Sequence, residues 1–323
     1  MKKYITFIIK IILVGAVAVG IYKGGFYILW RWNAGPKAYD NAYQKALLLQ
    51  YQALERERDN EIIVFGASDV PFGIDTDTME QVTGEKTQIL GIEAGIGISI
   101  LVDMLYEVAE PGDTIVYMLG TSNTCDGDFL TLSAAFEGDK DVLNWYWNRN
   151  QGDFGHFEQK LIWRKMYALM LGGAVEKVRY GITHKEQVYS LDSFDGDGNM
   201  TALREGTLIS TEVEPEYEWI MDDIDTDTLD EINEFSKWCR ENDITFVVCY
   251  GMMIEGSIYE PEETLTKLHN ELSEYLDADI LLTPADYLLP VECFYNHESH
   301  LNSEGAARYS TILGNAINDY RSE

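Results

Sequence analysis

Two residues far apart in the sequence have side chains that together suit acyl-transfer chemistry. Ser68 ends the small-residue turn Gly66-Ala67-Ser68, which follows the predicted buried strand Glu61–Phe65. A hydroxyl at the carboxyl end of a parallel strand lies at the sheet edge where α/β proteins bind their ligands. His300 lies in a loop before the last predicted helix. Imidazole is the commonest base for a serine hydroxyl, so the pattern predicts Ser68 as nucleophile and His300 as its base.

Alternating strand and helix patterns predict the scaffold that positions these residues. Helices are expected near 78–82, over 98–108, from a capping box at Thr228-Leu229-Asp230-Glu231, from Pro261, and from Asn302 or Ser303 to about Tyr320. Apolar runs predict strands at 61–65, 87–90, 114–119, 244–250 and 279–282. The alternation predicts an α/β fold with a doubly wound parallel sheet.

Residues 125–218 interrupt this alternation and are interpreted as an insertion. The segment is rich in tryptophan, tyrosine and phenylalanine, and a helix is predicted over Glu158–Leu171. Such aromatic residues are more typical of a satellite core, although they also suit a sugar-binding or glycolipid-binding face. The acidic run Asp192–Thr201 lacks the glycine and glutamate of an EF-hand loop, so it predicts a plain turn.

The amino-terminal segment has the length and composition of a membrane anchor. Tyr4–Tyr22 is almost wholly apolar, interrupted only by Lys10, and Lys2 and Lys3 precede it. An uncleaved anchor is favoured over a signal peptide cleaved near Ala16-Val17-Ala18, because apolar sequence continues beyond that site. The expected organisation is an anchor (1–33), a helical stalk (34–59) and an extracytoplasmic α/β domain (60–323) on a single-pass membrane protein.

Composition excludes several other functions. The formal net charge of −31 over 323 residues argues against nucleic-acid binding. The four cysteines have no zinc-site spacing, and free thiols are favoured over a disulfide. The glycine-rich turn Gly91–Gly97 does not match the dinucleotide-binding pattern, and no cofactor is expected.

A second motif supports the pairing of Ser68 with His300. His300 is followed by Leu301-Asn302-x-x-Gly305-Ala306, and a Gly-x-Ser turn follows the first strand. Together these motifs resemble the SGNH (GDSL-like) hydrolase superfamily. The amino-terminal anchor makes the chain similar to the membrane-anchored, cell-envelope branch, which includes the D-alanyl transfer protein of teichoic acid synthesis. The resemblance covers about 60–323 with gaps, and it implies a flavodoxin-like three-layer sandwich.

The resemblance also implies a role for individual residues. Ser68 would be the nucleophile, with its own backbone N–H in the oxyanion hole, and His300 would be the base. Either Gly91 or Gly95 would supply a second oxyanion donor. Asn123, after the third strand, would supply a third donor, although the family's Gly-x-Asn-Asp pattern is not intact there.

The chain departs from the family at the third member of the triad. Asn296 and His297 stand where the family carries the aspartate that orients the histidine. A neutral amide can hold an imidazole but cannot stabilise the imidazolium. Three outcomes stay open: a Ser–His dyad, a substitute carboxylate such as Glu298 or Glu292, or a site that binds without turnover.

The implied function is a serine esterase or O-acyltransferase that acts on acyl groups of envelope polymers. The expected partners are the membrane, a cell-wall or capsule polysaccharide, and a membrane-bound O-acyltransferase. One alternative is a catalytically impaired relative that binds glycan or partners the acyltransferase. The other is a structural anchor protein in which Ser68 is a helix cap and His300 is incidental.

Overall fold

The structure is a computed structural model, and it divides into two compact units. One unit comprises residues 1–42 and 139–187, and the other comprises 43–138 and 188–323. The structure describes residues 2–33, 42–56, 59–120, 123–127, 131, 132, 135, 188–217 and 219–322. The helix predicted over Glu158–Leu171 lies outside this set.

The described part of the first unit contains a long apolar helix, α1 (Lys2–Asn33). Its segment Tyr4–Gly24 has a mean hydropathy of 2.4 over 21 residues, and none of that segment is buried by other residues. At about 1.5 Å per residue, such a segment matches the thickness of a bilayer's hydrocarbon core. The helix is therefore long and apolar enough to span a membrane, and a signal sequence would meet the same criteria.

The second unit is built on a five-stranded parallel sheet, which confirms the predicted α/β class. Its strands are β1 (Ile62–Phe65), β2 (Thr87–Leu90), β3 (Thr114–Leu119), β4 (Thr245–Tyr250) and β6 (Asp279–Ile280), in the order β2-β1-β3-β4-β6. The first three strands are fully buried, as expected of strands covered on both faces. The order reverses between β1 and β3, and ligands bind beside such a reversal in open α/β sheets.

Helices cover both faces of this sheet. They are α2 (Ala46–Leu54), α3 (Asp69–Gly73), α4 (Thr76–Thr83), α5 (Ile98–Val108), α6 (Thr226–Glu241), α7 (Pro261–Tyr275) and α8 (Ser303–Ser322). Phe246 of β4 packs against Phe235 of α6, whereas Cys249, three residues later, contacts Tyr309 of α8. Side chains three apart on a strand point to opposite faces, so α6 and α8 lie on opposite sides of the sheet.

Two small strand pairs extend this framework. β5 (Met253–Ile254) pairs in parallel with β7 (Leu288–Leu289). β8 (Phe294–His297) and β9 (His300–Leu301) form an antiparallel hairpin that directly precedes α8. The hairpin carries both Asn296 and His300 and gives each a defined position relative to the sheet.

Part of the predicted stalk packs against the α/β domain. Helix α2 buries Leu47 and Leu54 and contacts β2 and α5. The side-chain amide of Gln50 donates to the carbonyl oxygens of Gly91 (3.2 Å) and Gly198 (3.0 Å). Residues 43–54 therefore belong to the second unit and do not form a separate stalk.

Residues 188–217 of the predicted insertion contribute no strand to the main sheet. Its acidic run folds as the predicted turn, in which the Asp195 carboxylate accepts from the N–H groups of Asp197 and Asn199 (both 2.9 Å). Phe194 and Met200 form a bridge across this turn. The turn places Gly198 against Gln50, so this part of the insertion packs on α2.

Candidate active site

The turn that carries Ser68 depends on two glycines. A Cβ at Gly91 would lie 2.2 Å from the carbonyl oxygen of Gly66, and a Cβ at Gly66 would lie 2.9 Å from that of Met118. Because of these close approaches, the turn after β1 packs against the segment that follows β2 and against the end of β3. Ser68 then precedes α3 with helical backbone angles, and its side chain makes no capping hydrogen bond. Ser68 therefore stands at the N-cap position of α3, but its side chain does not cap the helix.

His300 lies directly beside Ser68. Its Nε2 is 3.0 Å from Ser68 Oγ, and its Nδ1 is 3.1 Å from Asn296 Oδ1. The ring is buried, and it stacks on Phe72 of α3 with the ring centroids 4.0 Å apart. The structure thus brings together the three residues that the sequence pointed to as nucleophile, base and orienting residue.

Tyr189 is a fourth member of this group that the sequence did not indicate. Its hydroxyl is 3.1 Å from His300 Nδ1, and Asn296 Nδ2 donates to it at 3.0 Å. Its ring contacts Tyr43 and Phe72. Tyr189 lies in the segment interpreted as an aromatic insertion, where no local motif distinguishes it from other tyrosines.

The partners of Nδ1 select between the two neutral forms of His300. Asn296 Oδ1 can only accept, so it favours the tautomer with hydrogen on Nδ1 and a lone pair on Nε2. That tautomer can take the proton of Ser68. The Tyr189 hydroxyl can donate to Nδ1, and doing so would favour the opposite tautomer. In the first arrangement Tyr189 accepts from Asn296 Nδ2 and holds the amide in place.

Burial makes His300 a poor cation. Burial, followed by the nearby His297 and Arg204 charges, lowers the pKa of His300 from its usual value near 6.5 to about 3. The imidazole is therefore neutral at pH 7, with Nε2 ready to accept a proton. The same environment disfavours the imidazolium that forms when it does so.

Neither alternative carboxylate reaches His300. Glu298 accepts a hydrogen bond from the Tyr217 hydroxyl at 2.6 Å, and the Glu292 side chain is exposed. Within the described ranges, no carboxylate is hydrogen-bonded to the His300 ring. The expectation of a substitute carboxylate is not met here, and an amide and a phenol occupy that position.

The four groups considered as oxyanion donors differ in their hydrogen bonding. The Gly91 N–H donates to Gln50 Oε1 at 3.0 Å, and the Asn123 amide donates to the Tyr117 hydroxyl (2.9 Å) and the Met118 carbonyl (3.1 Å). Both groups are thus engaged elsewhere. In the described part of the chain, the N–H groups of Ser68 and Gly95 have no hydrogen-bond partner. These two N–H groups remain as candidate oxyanion donors.

Arg204 stabilises the segments that carry the site, and the sequence analysis did not indicate it. Its buried guanidinium donates from Nε to the carbonyl of Leu301 at 3.0 Å and lies 5.4 Å from the ring centre of Phe72. Its backbone N–H donates to Ser303 Oγ at 3.0 Å. One residue therefore holds β9, the start of α8 and the ring on which His300 stacks.

A cavity of about 410 Å³ adjoins this site. Asp69, which follows Ser68, and His297–Ser299, which precede His300, line part of it.

Among the described residues, no group of three histidine, cysteine, aspartate or glutamate side chains has the geometry to hold a metal ion. No protein-family model matches the chain, and no curated protein is significantly similar to it in sequence.

Proposed function

We propose that the chain is an SGNH-like serine esterase or O-acyltransferase that acts on acyl groups of cell-envelope polysaccharide or teichoic acid. The observation that carries the proposal is the 3.0 Å contact between Ser68 Oγ and His300 Nε2, at the carboxyl end of a central parallel strand. The apolar helix α1 supports attachment to a membrane, and the proposal puts the α/β domain on its extracytoplasmic side.

The proposed reaction begins with proton transfer. His300 Nε2 takes the proton of Ser68, and Oγ attacks the carbonyl carbon of an acyl ester. The resulting oxyanion is stabilised by the N–H groups of Ser68 and Gly95, each of which contributes about 3 kcal/mol in comparable sites. When the tetrahedral intermediate collapses, the C–O bond to the leaving alcohol breaks and His300 returns its proton to that alcohol. Ser68 is left acylated.

The second half of the reaction regenerates the serine. Water or a sugar hydroxyl loses a proton to His300 Nε2 and attacks the acyl carbon, and Ser68 leaves with that proton. Water as acceptor makes the chain an esterase, and a sugar hydroxyl makes it a transferase. In both cases the neutral imidazole that burial maintains is the form that begins each step.

A fluorophosphonate probe tests the proposal directly, because it reacts with an activated serine Oγ with loss of fluoride. We expect labelling of the full-length chain, and no labelling of Ser68→Ala or His300→Ala. His269→Ala is the matched control, since the His269 ring on α7 contacts the Tyr250 hydroxyl rather than Ser68 or His300, and it should label normally. A folded wild-type chain that resists the probe would contradict the catalytic proposal.

A second candidate function is a catalytically impaired relative that binds glycan or partners a membrane-bound O-acyltransferase. Two observations favour it: an amide replaces the carboxylate at Asn296, and the His300 imidazolium is disfavoured. This candidate predicts that the wild type resists the fluorophosphonate probe and that Asn296→Asp, which restores the carboxylate, labels faster. Co-purification of the unlabelled chain with a membrane acyltransferase would then support it.

A further inference from the structure

The cavity beside the site is lined by both apolar and acidic side chains. It lies at the carboxyl ends of β3 and β4, where Gly120 and Gly251 form part of its lining. Aromatic, thioether and aliphatic side chains make up much of the rest, including Tyr217, Trp219 and Met252. Its described lining also contains three carboxyl groups and no lysine or arginine.

Asp69 is the carboxyl group held most deeply in this lining. The residue is 5% exposed, and its carboxyl lies between two glycines. A Cβ at Gly120 would lie 2.9 Å from Asp69 Oδ2, and one at Gly251 would lie 3.1 Å from it. Side chains larger than glycine would therefore crowd the carboxyl. Asp69, Gly120 and Gly251 therefore line the cavity together.

Two buried polar atoms in the lining lack partners. Asp69 Oδ1 and Trp219 Nε1 form no hydrogen bond with any residue that the structure describes, although backbone N–H groups of residues 67, 69 and 70 favour the ionised form of the Asp69 carboxyl. A buried polar atom without a partner costs about 1–3 kcal/mol, and most such atoms in native proteins are satisfied. Asp69 therefore has unused acceptor capacity beside the cavity that it lines, and a ligand that carries a donor would complement it.

We propose that this cavity binds an alkylammonium ligand that has at least one N–H and an apolar body. The N–H donates to the Asp69 carboxyl, and the rings of Trp219 and Tyr217 attract the cation through their faces. Asp223 and Glu298 add negative potential, which also repels anionic ligands. The apolar body lies against Met252 and its aliphatic neighbours.

The position of the cavity connects this ligand to the proposed chemistry. Asp69 follows Ser68 directly in the chain, and His297–Ser299 of the lining precede His300, so the ligand binds beside the segments that carry the proposed catalytic residues. Only that connection rests on the proposed function. Binding itself needs no reaction at Ser68, and it is therefore measured on a chain that cannot react.

Calorimetry on the full-length Ser68→Ala chain tests the proposal, with benzylammonium chloride as the probe and benzyl alcohol as its neutral counterpart. We expect benzylammonium to bind at least tenfold more tightly than the alcohol. Adding Asp69→Asn should weaken benzylammonium about tenfold or more, since hydrogen bonds to charged groups contribute about 1.5–3 kcal/mol. Asp319→Asn, an exposed change on α8, should alter nothing. Equal affinities for the two probes would overturn the proposal.

A second variant keeps the test decisive even where Asp69→Asn does not fold. Tyr217 is 44% exposed, so Tyr217→Leu removes an aromatic wall with little effect on the core. We expect benzylammonium to bind about two- to fivefold more weakly. Tyr259→Leu, at a residue that is 47% exposed and outside the lining, is the matched control. Equal affinities of these two variants would contradict the aromatic contribution.

The pH dependence of binding gives a further readout. Burial raises the pKa of Asp69 to about 7, so affinity for the cation should fall as the pH drops from 8 to 6. Tyr117 on β3, Cys249 on β4 and Tyr309 on α8 face Asp69, and all three have raised pKa values and stay uncharged over this range. The other ionisable residues of the lining are Asp223, Glu298 and His297. Loss of this dependence in Asp69→Asn would assign it to Asp69, and its persistence there would count against the proposal.

Discussion

Replacing Asn296 with aspartate tests whether the missing carboxylate limits catalysis at Ser68. Asn296 Oδ1 lies 3.1 Å from His300 Nδ1, so an isosteric aspartate places a negative charge at hydrogen-bond distance from the base. The change leaves the Ser68–His300 contact intact. Its main effect is on the imidazolium that forms when His300 takes a proton.

The magnitude follows from the electrostatics of the buried ring. The pKa of His300 is lowered from near 6.5 to about 3, which at about 1.4 kcal/mol per pKa unit corresponds to about 5 kcal/mol against the imidazolium. A carboxylate next to a cation restores about 1–3 pKa units. Asn296 is partly exposed, so solvent screening favours the lower part of this range. We expect kcat/KM to rise about 10- to 100-fold.

The comparison with known triads gives the same direction. In a serine protease with a Ser–His–Asp triad, the reverse change from aspartate to asparagine lowers kcat about 10⁴-fold. A smaller gain is expected here because Tyr189 already holds the Asn296 amide, and Asn296 itself selects the productive tautomer. The carboxylate therefore adds charge stabilisation to a histidine that is already oriented.

The assay is hydrolysis of p-nitrophenyl acetate by the purified full-length chain between pH 5 and 9. The wild type should be insensitive to His300 protonation over this range, and the acid limb of the Asn296→Asp profile should move upward. Asn315→Asp adds the same charge on an exposed position of α8 and should leave kcat/KM unchanged. An Asn296→Asp chain that folds normally but shows no gain at any pH would refute the reasoning.

Three further predictions concern the surroundings of the site. Tyr189→Phe removes a hydrogen bond worth about 1 kcal/mol, so kcat/KM should fall about fivefold. The control Tyr295→Phe should leave kcat/KM unchanged. Equal values of kcat/KM in the two variants would mean that Tyr189 acts only through packing. Gly91→Ala places a Cβ 2.2 Å from a backbone oxygen, so it should lower the free energy of unfolding, measured in urea, by about 2–3 kcal/mol. At Gly196 a Cβ would meet no other atom within 4 Å, so Gly196→Ala should lower that free energy by less than about 1 kcal/mol. The pKa of Asp69 is raised in the folded state, so the unfolded chain loses this proton at lower pH and the free energy of unfolding falls as the pH rises from about 4 to 7. Asp69→Asn should therefore raise the melting temperature by a few degrees more at pH 8 than at pH 5. An equal shift at both pH values would contradict this linkage.

Local sequence determined the framework of the second unit. Strands β2 and β3 and helix α5 have the predicted bounds, because continuous apolar runs and a one-sided apolar stripe are properties of short segments. Pro261 begins α7 as predicted, since its fixed φ suits the first helical position. Ser68 and His300 were also identified from local motifs.

Tertiary contacts changed one of the local predictions. The capping box predicted that a helix starts after Thr228, whereas α6 is capped by Asp225 and begins at Thr226. Asp225 also accepts from the Cys125 backbone N–H (2.7 Å) and from the Thr228 hydroxyl (2.8 Å). A partner 100 residues away thus stabilises the earlier start of α6. Thr228 is not the N-cap residue, and its hydroxyl instead donates to the Asp225 cap.

The composition of the site was decided only by the tertiary structure. Tyr189 reaches His300 from 111 residues away, and Arg204 reaches Leu301 from 97 residues away. The side chain of Gln50, in the predicted stalk, takes the Gly91 N–H that the family pattern offered to the oxyanion. Local periodicity reports which face of a segment is buried, but it does not report which distant segment covers that face. The partners of Ser68 and His300 depend on that covering.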